Sequence, residues 1–219
     1  MEPTPPSHHE QPGPQEPAPS PGRRRFIVES AITLVTTAAL AFGVQAAVAK
    51  PYLIPSESML PTLEVGERVV VDRVSYRFAS PEPGDIVVFR PPAGAEEPGL
   101  RDCVVPRQPD QACPLPWTQP AVGAPYIKRI VAGPGDRVSI EGGRAIVNGE
   151  PDEAPAIPCP GQAECELPRE ITIPEGHYFV LGDNRGASLD SRAWGPLPRE
   201  WIIGKARLSY WPPRRARAL

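Results

Sequence analysis

Residues 1–219 read as a mainly β chain carried behind a single N-terminal transmembrane helix. Three features of the sequence lead there. A run of 24 residues, Phe26 to Ala49, holds no charge except Glu29. After it come short segments rich in β-branched and aromatic residues, with glycine or proline between them and no 3.6-residue apolar period of helical length.

The first 22 residues contain eight of the chain's 33 prolines and no large aliphatic side chain beyond Met1. Such a segment buries too little surface to offset its ordering entropy, so residues 1–22 are expected to be a disordered tail. The apolar run that follows, within 23–49, would be about 36 Å long as a helix, enough to cross a hydrocarbon layer of about 30 Å with some tilt. Arg23, Arg24 and Arg25 precede it, which puts the N-terminus in the cytoplasm and residues 50–219 outside. Ala47-Val48-Ala49 has the small-x-small form of a signal-cleavage site, so a cleaved signal competes with a retained anchor. The length of the run favours the anchor. Glu29, near the cytoplasmic end, is read as a snorkelling or paired charge.

Beyond Lys50 the strand segments are RVVVDRVSYRF, GDIVVF, YIKRIVA, DRVSI, RAIVNG, HYFVLGD and IIGKARLSYW. Their sheets should be antiparallel, because EGGR and VNGE supply the residues that tight hairpins need at positive φ. Residues 90–125 differ from their flanks, with nine prolines and two cysteines, and read as an extended, disulfide-tied insertion between two strands. Trp117 within it is either a lipid-headgroup contact or an ordinary packed loop residue.

Bulk charge excludes a nucleic-acid partner: 23 basic against 26 acidic residues leaves −3, and the basic residues are mostly dispersed. The four cysteines, Cys103, Cys113, Cys159 and Cys165, all follow the apolar run. Their spacings are not those of a zinc site, so no metal is expected. Local pairs, Cys103 with Cys113 and Cys159 with Cys165, fit an oxidising compartment, and sequence alone leaves the other pairings open.

A serine–histidine–aspartate arrangement fails because the outer region has a single histidine, His177, inside a strand segment. Another base is needed, and beyond Ala49 the chain has only Lys50, Lys128 and Lys205. Strand alternation in YIKRIVA puts Tyr126, Lys128 and Ile130 on one face and Ile127, Arg129 and Val131 on the other. On a buried face the lysine would lose its charge readily and could serve as a base. On an edge strand it would be an ordinary surface residue. Two further stretches carry unusual polarity: IPSESMLPTL, with three hydroxyls and two prolines, and LGDNRGASLDSRAWG, whose Asp and Arg residues can pair to fix a loop.

In that order behind an N-terminal anchor, IPSESMLPTL, GDIVVF, YIKRIVAGPGD and GDNRGASLDSRAWG closely resemble the bacterial type I signal peptidases, membrane-bound leader peptidases with a Ser-Lys dyad. The resemblance runs from about Phe26 to Trp211. It implies a fold of two antiparallel β-sheet regions, with residues 137–175 an accessory β region. It implies an endopeptidase that removes signal peptides from exported preproteins after small-x-small motifs, needs no cofactor, and works at the lipid bilayer close to the secretion translocon. Residue by residue, Ser58 matches the nucleophile, Lys128 the general base and Ser56 the side-chain oxyanion donor. Ser188 matches a serine that hydrogen-bonds the lysine, and Asp190 with Arg192 an ion pair that holds the loop. Ile54, Pro55, Met59, Leu63, Tyr126 and Ile127 match the lining of a shallow substrate groove. Cys159 and Cys165 fall where some members carry a short-range disulfide, whereas the tail and the 90–125 insertion lie outside the shared pattern. Two other readings compete: a relative that processes one dedicated substrate, and a tethered domain that only binds preproteins. The second would lack the serine or the lysine, and both are present.

Overall fold

The computed structural model describes residues 21–95, 103, 105–106, 108–120 and 123–219, with the side chains at 21, 23, 41, 42 and 44–47 outside that description. The tail expected over 1–22 therefore lies outside it up to residue 20, as does part of the 90–125 insertion. The chain divides into two compact units after Gln45.

Helix α1 spans Pro21–Val48. It starts two residues before the anchor's expected boundary, with proline at the first position, where a missing N–H removes no intrahelical bond. Arg25 Nε donates to Glu29 Oε1 at 2.8 Å one turn on, so the charge within the apolar run is paired. The Thr33 and Thr36 hydroxyls donate back to the carbonyls of Glu29 and Ile32, which satisfies them without an outside partner. Phe26, Ile32, Leu34, Val35 and Leu40 are exposed. Among the described residues, no helix is long and apolar enough to cross a membrane. The span expected at 23–49 is thus present as a helix, without a membrane span's apolarity over the residues described. That apolarity is summed over some twenty residues, and several of the helix's side chains are among those not described.

β1 (Ala49–Leu53) pairs antiparallel with β2 (Arg68–Asp72). Then follow β3 (Ile86–Phe89), β4 (Tyr126–Ala132), β5 (Arg137–Glu141), β6 (Arg144–Val147), β7 (Glu150–Pro151), β8 (Leu167–Thr172) and β9 (His177–Leu181). A single-turn helix α2 (Ser191–Trp194), β10 (Leu197–Pro198), the long β11 (Ile202–Trp211) and β12 (Arg217–Ala218) complete the chain. They form two antiparallel sheets. One has eight strands in the order β1-β2-β11-β3-β4-β9-β10 with β12 on β11, and the other has four in the order β7-β6-β5-β8. The smaller sheet occupies the accessory region, and its β6–β7 turn uses positive φ at Asn148 and Gly149. β1 lies outside the strand segments read from the sequence. Its Pro51 is tolerated because β1 is the edge of its sheet, where an N–H can be spared.

β4 is interior to the larger sheet, between β3 and β9. Its residues enter all three apolar clusters: Ile127 with Ile54, Met59 and Leu63; Ile130 with Phe89, Trp194 and Trp201; Val131 and Ala132 with Ile140, Ile171 and Phe179. Each fully buried aliphatic or aromatic side chain contributes about 1.5–3 kcal/mol, so β4 is held from several directions. Residues 90–125 lie between β3 and β4, and Trp117 among them packs against the Phe89 cluster, which fits the packed-loop reading. Both cysteine pairs are disulfides, Cys103–Cys113 and Cys159–Cys165.

Candidate active site

After β1 the chain bends through a single turn, Glu57–Met59, preceded by Ser56 in extended conformation. The backbone of Ile54 is tied to Glu67 and Gly66 at 2.9 and 2.8 Å, which fixes where that turn begins. Ser56 makes no capping bond to the turn, so its hydroxyl stays available, and its Oγ lies 3.3 Å from Ser58 Oγ. Ser58 is buried, and Lys128 Nζ donates to its Oγ at 2.8 Å. Ser58 and Lys128, 70 positions apart in sequence, therefore form one constellation with Ser56.

Lys128 is 4% exposed. Burial is the main reason its pKa falls from the usual 10.5 to about 8, and the Arg192 charge adds to the fall while Asp190 and Asp183 oppose it. The Tyr126 ring lies 5.5 Å from Nζ. A lysine with that value is partly neutral near neutral pH, and the neutral amine can take the proton of the hydroxyl it touches. The other two lysines are unsuited. Lys205 is ion-paired with Asp85, and Lys50 is exposed over the Tyr52 ring. His177 hydrogen-bonds the Glu175 carbonyl at 2.8 Å and stays outside the constellation.

The loop after β9 closes the site. Asn184 N–H donates to the Ser58 carbonyl at 3.0 Å, and Gly182 N–H to Asp190 Oδ2 at 3.1 Å. A Cβ on Gly182 would strike both Ser188 Oγ and the Ser58 carbonyl, so only glycine lets this loop approach the serine. Asp190 and Arg192 make the expected ion pair, bidentate at 2.8 and 2.9 Å. Burial pushes the Asp190 carboxyl up, but the Arg192 charge and hydrogen bonds prevail and hold it below the usual range. Ser188 departs from its expected role. Its Oγ lies near enough to Asp190 to help keep that carboxyl ionised, yet is in hydrogen-bond geometry with no partner, Lys128 included.

A groove of about 320 Å³ runs past the serine. Ile54, Pro55, Tyr126 and Ile127 line it, with Tyr52, Leu53, Val88, Ala124, Pro125, Ala187 and Leu189, which sequence reasoning did not assign to it. Met59 and Leu63 do not line it. The turn at Glu57–Met59 swings Met59 inward, and both side chains are completely buried behind the groove in the cluster with Val69 and Val71.

Three supporting residues were also missed. Arg129 holds Asp183 through both carboxylate oxygens at 2.9 and 2.7 Å, and Asp183 also accepts from the Thr62 hydroxyl beyond the serine. Arg185, fully buried, donates to the carbonyls of Gly182 and Gly143 and to Asp152 at 3.0, 2.6 and 2.6 Å. The density of Asp and Arg in LGDNRGASLDSRAWG was the available signal; the partners, far off in sequence, were not.

The family model of signal peptidase, peptidase S26, matches residues 27–211. The chain belongs to the signal peptidase family. Relatives extend the match over nearly its whole length. Signal peptidase I of Leptolyngbya laminosa is 36% identical over 214 residues, 95% of this chain and 94% of the relative. The probable signal peptidase I-1 of Synechocystis sp. is 39% identical over 198 residues, 90% of this chain and 89% of the relative. Signal peptidase I of Mycobacterium tuberculosis is 37% identical over 227 residues, 90% of this chain and 76% of the relative. This signal peptidase is a serine peptidase, a hydrolase whose family cleaves signal peptides from preproteins.

Proposed function

We propose that this signal peptidase cuts after small-x-small motifs with Ser58 as nucleophile and Lys128 as general base. The observation that carries the reading is the 2.8 Å contact between Lys128 Nζ and Ser58 Oγ, two buried residues that meet at the wall of the groove. Neutral Lys128 takes the Ser58 proton as Oγ attacks the scissile carbonyl. The oxyanion is held by the Ser58 N–H and the Ser56 hydroxyl. Protonated Lys128 then gives the proton to the leaving amine, leaving an acyl-enzyme. A water deprotonated by Lys128 attacks that ester and regenerates Ser58. The groove's lining by Ile54, Ile127 and Val88 supports an extended substrate with small side chains beside the cleaved bond.

Membrane attachment through residues 23–49 belongs to the same proposal, with the N-terminus cytoplasmic and the β unit outside near the translocon. Its support is the 24-residue run after three arginines, and the two disulfides of the β unit, which need an oxidising compartment.

The test is cleavage of a purified preprotein by the full chain in detergent, comparing wild type with Ser58→Ala and Lys128→Ala. Both substitutions should abolish turnover while leaving the circular dichroism spectrum unchanged. Normal turnover by either folded variant would reject the dyad.

A further inference from the structure

Helix α2 carries Arg192 and follows directly on Asp190, and its place is set mostly by what surrounds it. It is a single turn, too short to be stable by itself. A cavity of about 380 Å³ opens beside it against Ser188, Leu189, Asp190, Arg192 and Ala193, so packing does not confine it on that side. Elsewhere it is bordered by β9, whose Val180 N–H donates to Ser191 Oγ at 3.0 Å, by the Phe89 cluster, which takes up Trp194, and by two disulfide-bonded segments.

From the insertion, Cys113 N–H donates to the Arg192 carbonyl at 3.3 Å, and Cys113 Sγ lies 2.9 Å from the Ala193 carbonyl oxygen. Gly195, which ends the helix, has no room for a Cβ because the Leu115 and Cys113 carbonyls occupy that space. From the accessory region, the Glu164 carbonyl and Cys165 Sγ accept from Arg192 Nη1 at 3.2 and 3.3 Å. Cys165 is itself completely buried, and its carbonyl accepts from Gly143 N–H at 2.8 Å. One disulfide therefore meets the backbone of Arg192 and the other its guanidinium.

We propose that Cys113 and Cys165 are positioning residues, and that their disulfides form a clamp that keeps Arg192 on Asp190 and so keeps the Asp190 carboxylate from becoming the counterion of the catalytic lysine. The inference rests on the Ser58–Lys128 dyad proposed above, and it gives the 90–125 insertion a role. Buried Asp190 has two cations within electrostatic reach. Paired with Arg192 it leaves Lys128 able to lose its proton; with Arg192 displaced into the cavity, its bare charge would hold the ammonium form. Of the other groups that act on Lys128, Asp183 is already taken by Arg129, while Ser58 and the Tyr126 ring carry no charge. Loosening the clamp should thus raise the pKa of Lys128 and empty the active form near neutral pH.

The test is the pH dependence of kcat/KM for the full chain in detergent on a signal-peptide substrate. The variants are Cys103→Ser with Cys113→Ser, and Cys159→Ser with Cys165→Ser. Each pair should move the midpoint of the rising limb up by about one pH unit, with the rate recovering toward wild type above it. A lower melting temperature with an unmoved midpoint would overturn the clamp and leave two ordinary staples. Should a variant not fold, wild type is measured after dithiothreitol. Each dithiol molecule is oxidised to its cyclic disulfide while one protein disulfide gains two electrons and two protons to become two thiols. An unmoved midpoint in the reduced, folded chain overturns the proposal, and so does loss of the fold in every case. Turnover surviving Ser58→Ala would instead remove the dyad beneath it, which is a separate result.

Discussion

Lys128 and Arg129 are neighbours on β4 and face opposite sides of its sheet. On one face Lys128 is buried against Ser58 and the Tyr126 ring, with no carboxylate among its hydrogen-bond partners. On the other, Arg129 grips Asp183 with two hydrogen bonds, reaches the Gly84 carbonyl at 2.8 Å and touches Thr62. A cation given a carboxylate becomes part of the scaffold, because the pair offsets its own desolvation. A cation given only a hydroxyl is pushed toward its neutral form and becomes a base. One strand thus makes a girder and a reagent from adjacent residues by choosing what faces each.

The largest test of that contrast is Lys128→Met. Cleavage should fall by about 10²- to 10⁴-fold or more, the usual contribution of a general base. Stability should move the other way. Between pH 8 and 10.5 the unfolded chain holds a proton on Lys128 that the folded chain does not, so stability rises with pH across that window. Below it the full cost of burying the charge is present, and removing the charge at pH 6 should raise unfolding free energy by about 3 kcal/mol. Urea titration at pH 6 checks this, and a destabilised variant would break the contrast.

Asp183→Asn should do the reverse, costing about 3–5 kcal/mol in the same titration by leaving Arg129 charged and unpaired. Because Asp183 favours the charged form of Lys128, the rising limb of kcat/KM should also move to lower pH, opposite to the shift expected on loosening the disulfides. In wild type that limb should rise about tenfold per pH unit below pH 8 and level above it, as a single base losing one proton requires. The smallest effect belongs to Arg129→Lys, which keeps the charge but loses the fork, at about 1–2 kcal/mol of stability and with turnover little changed.

Much of this was legible before any coordinates. Periodicity alone put Lys128 and Ile130 on one face and Ile127 on the other, and their separate apolar clusters follow that division. The insertion's limits fell between Phe89 and Tyr126, where proline density changes. What could not be read depends on distant partners or on a bend. β1 was missed because Pro51 argues against a strand unless the strand is an edge. Met59 and Leu63 were placed in the groove because one turn of backbone decides whether a side chain faces solvent or core. Arg129 and Arg185 look like ordinary surface residues until Asp183 and Asp152 are brought to them by the fold.

The membership of β4 in all three apolar clusters has a consequence for time as well as for place. A base on a peripheral strand would meet water whenever that strand breathed. Here no single cluster can open and release β4, so its amides should exchange with solvent only as slowly as the whole β unit unfolds. Water still reaches Lys128 along the groove, but its placement against Ser58 lasts as long as the fold around it.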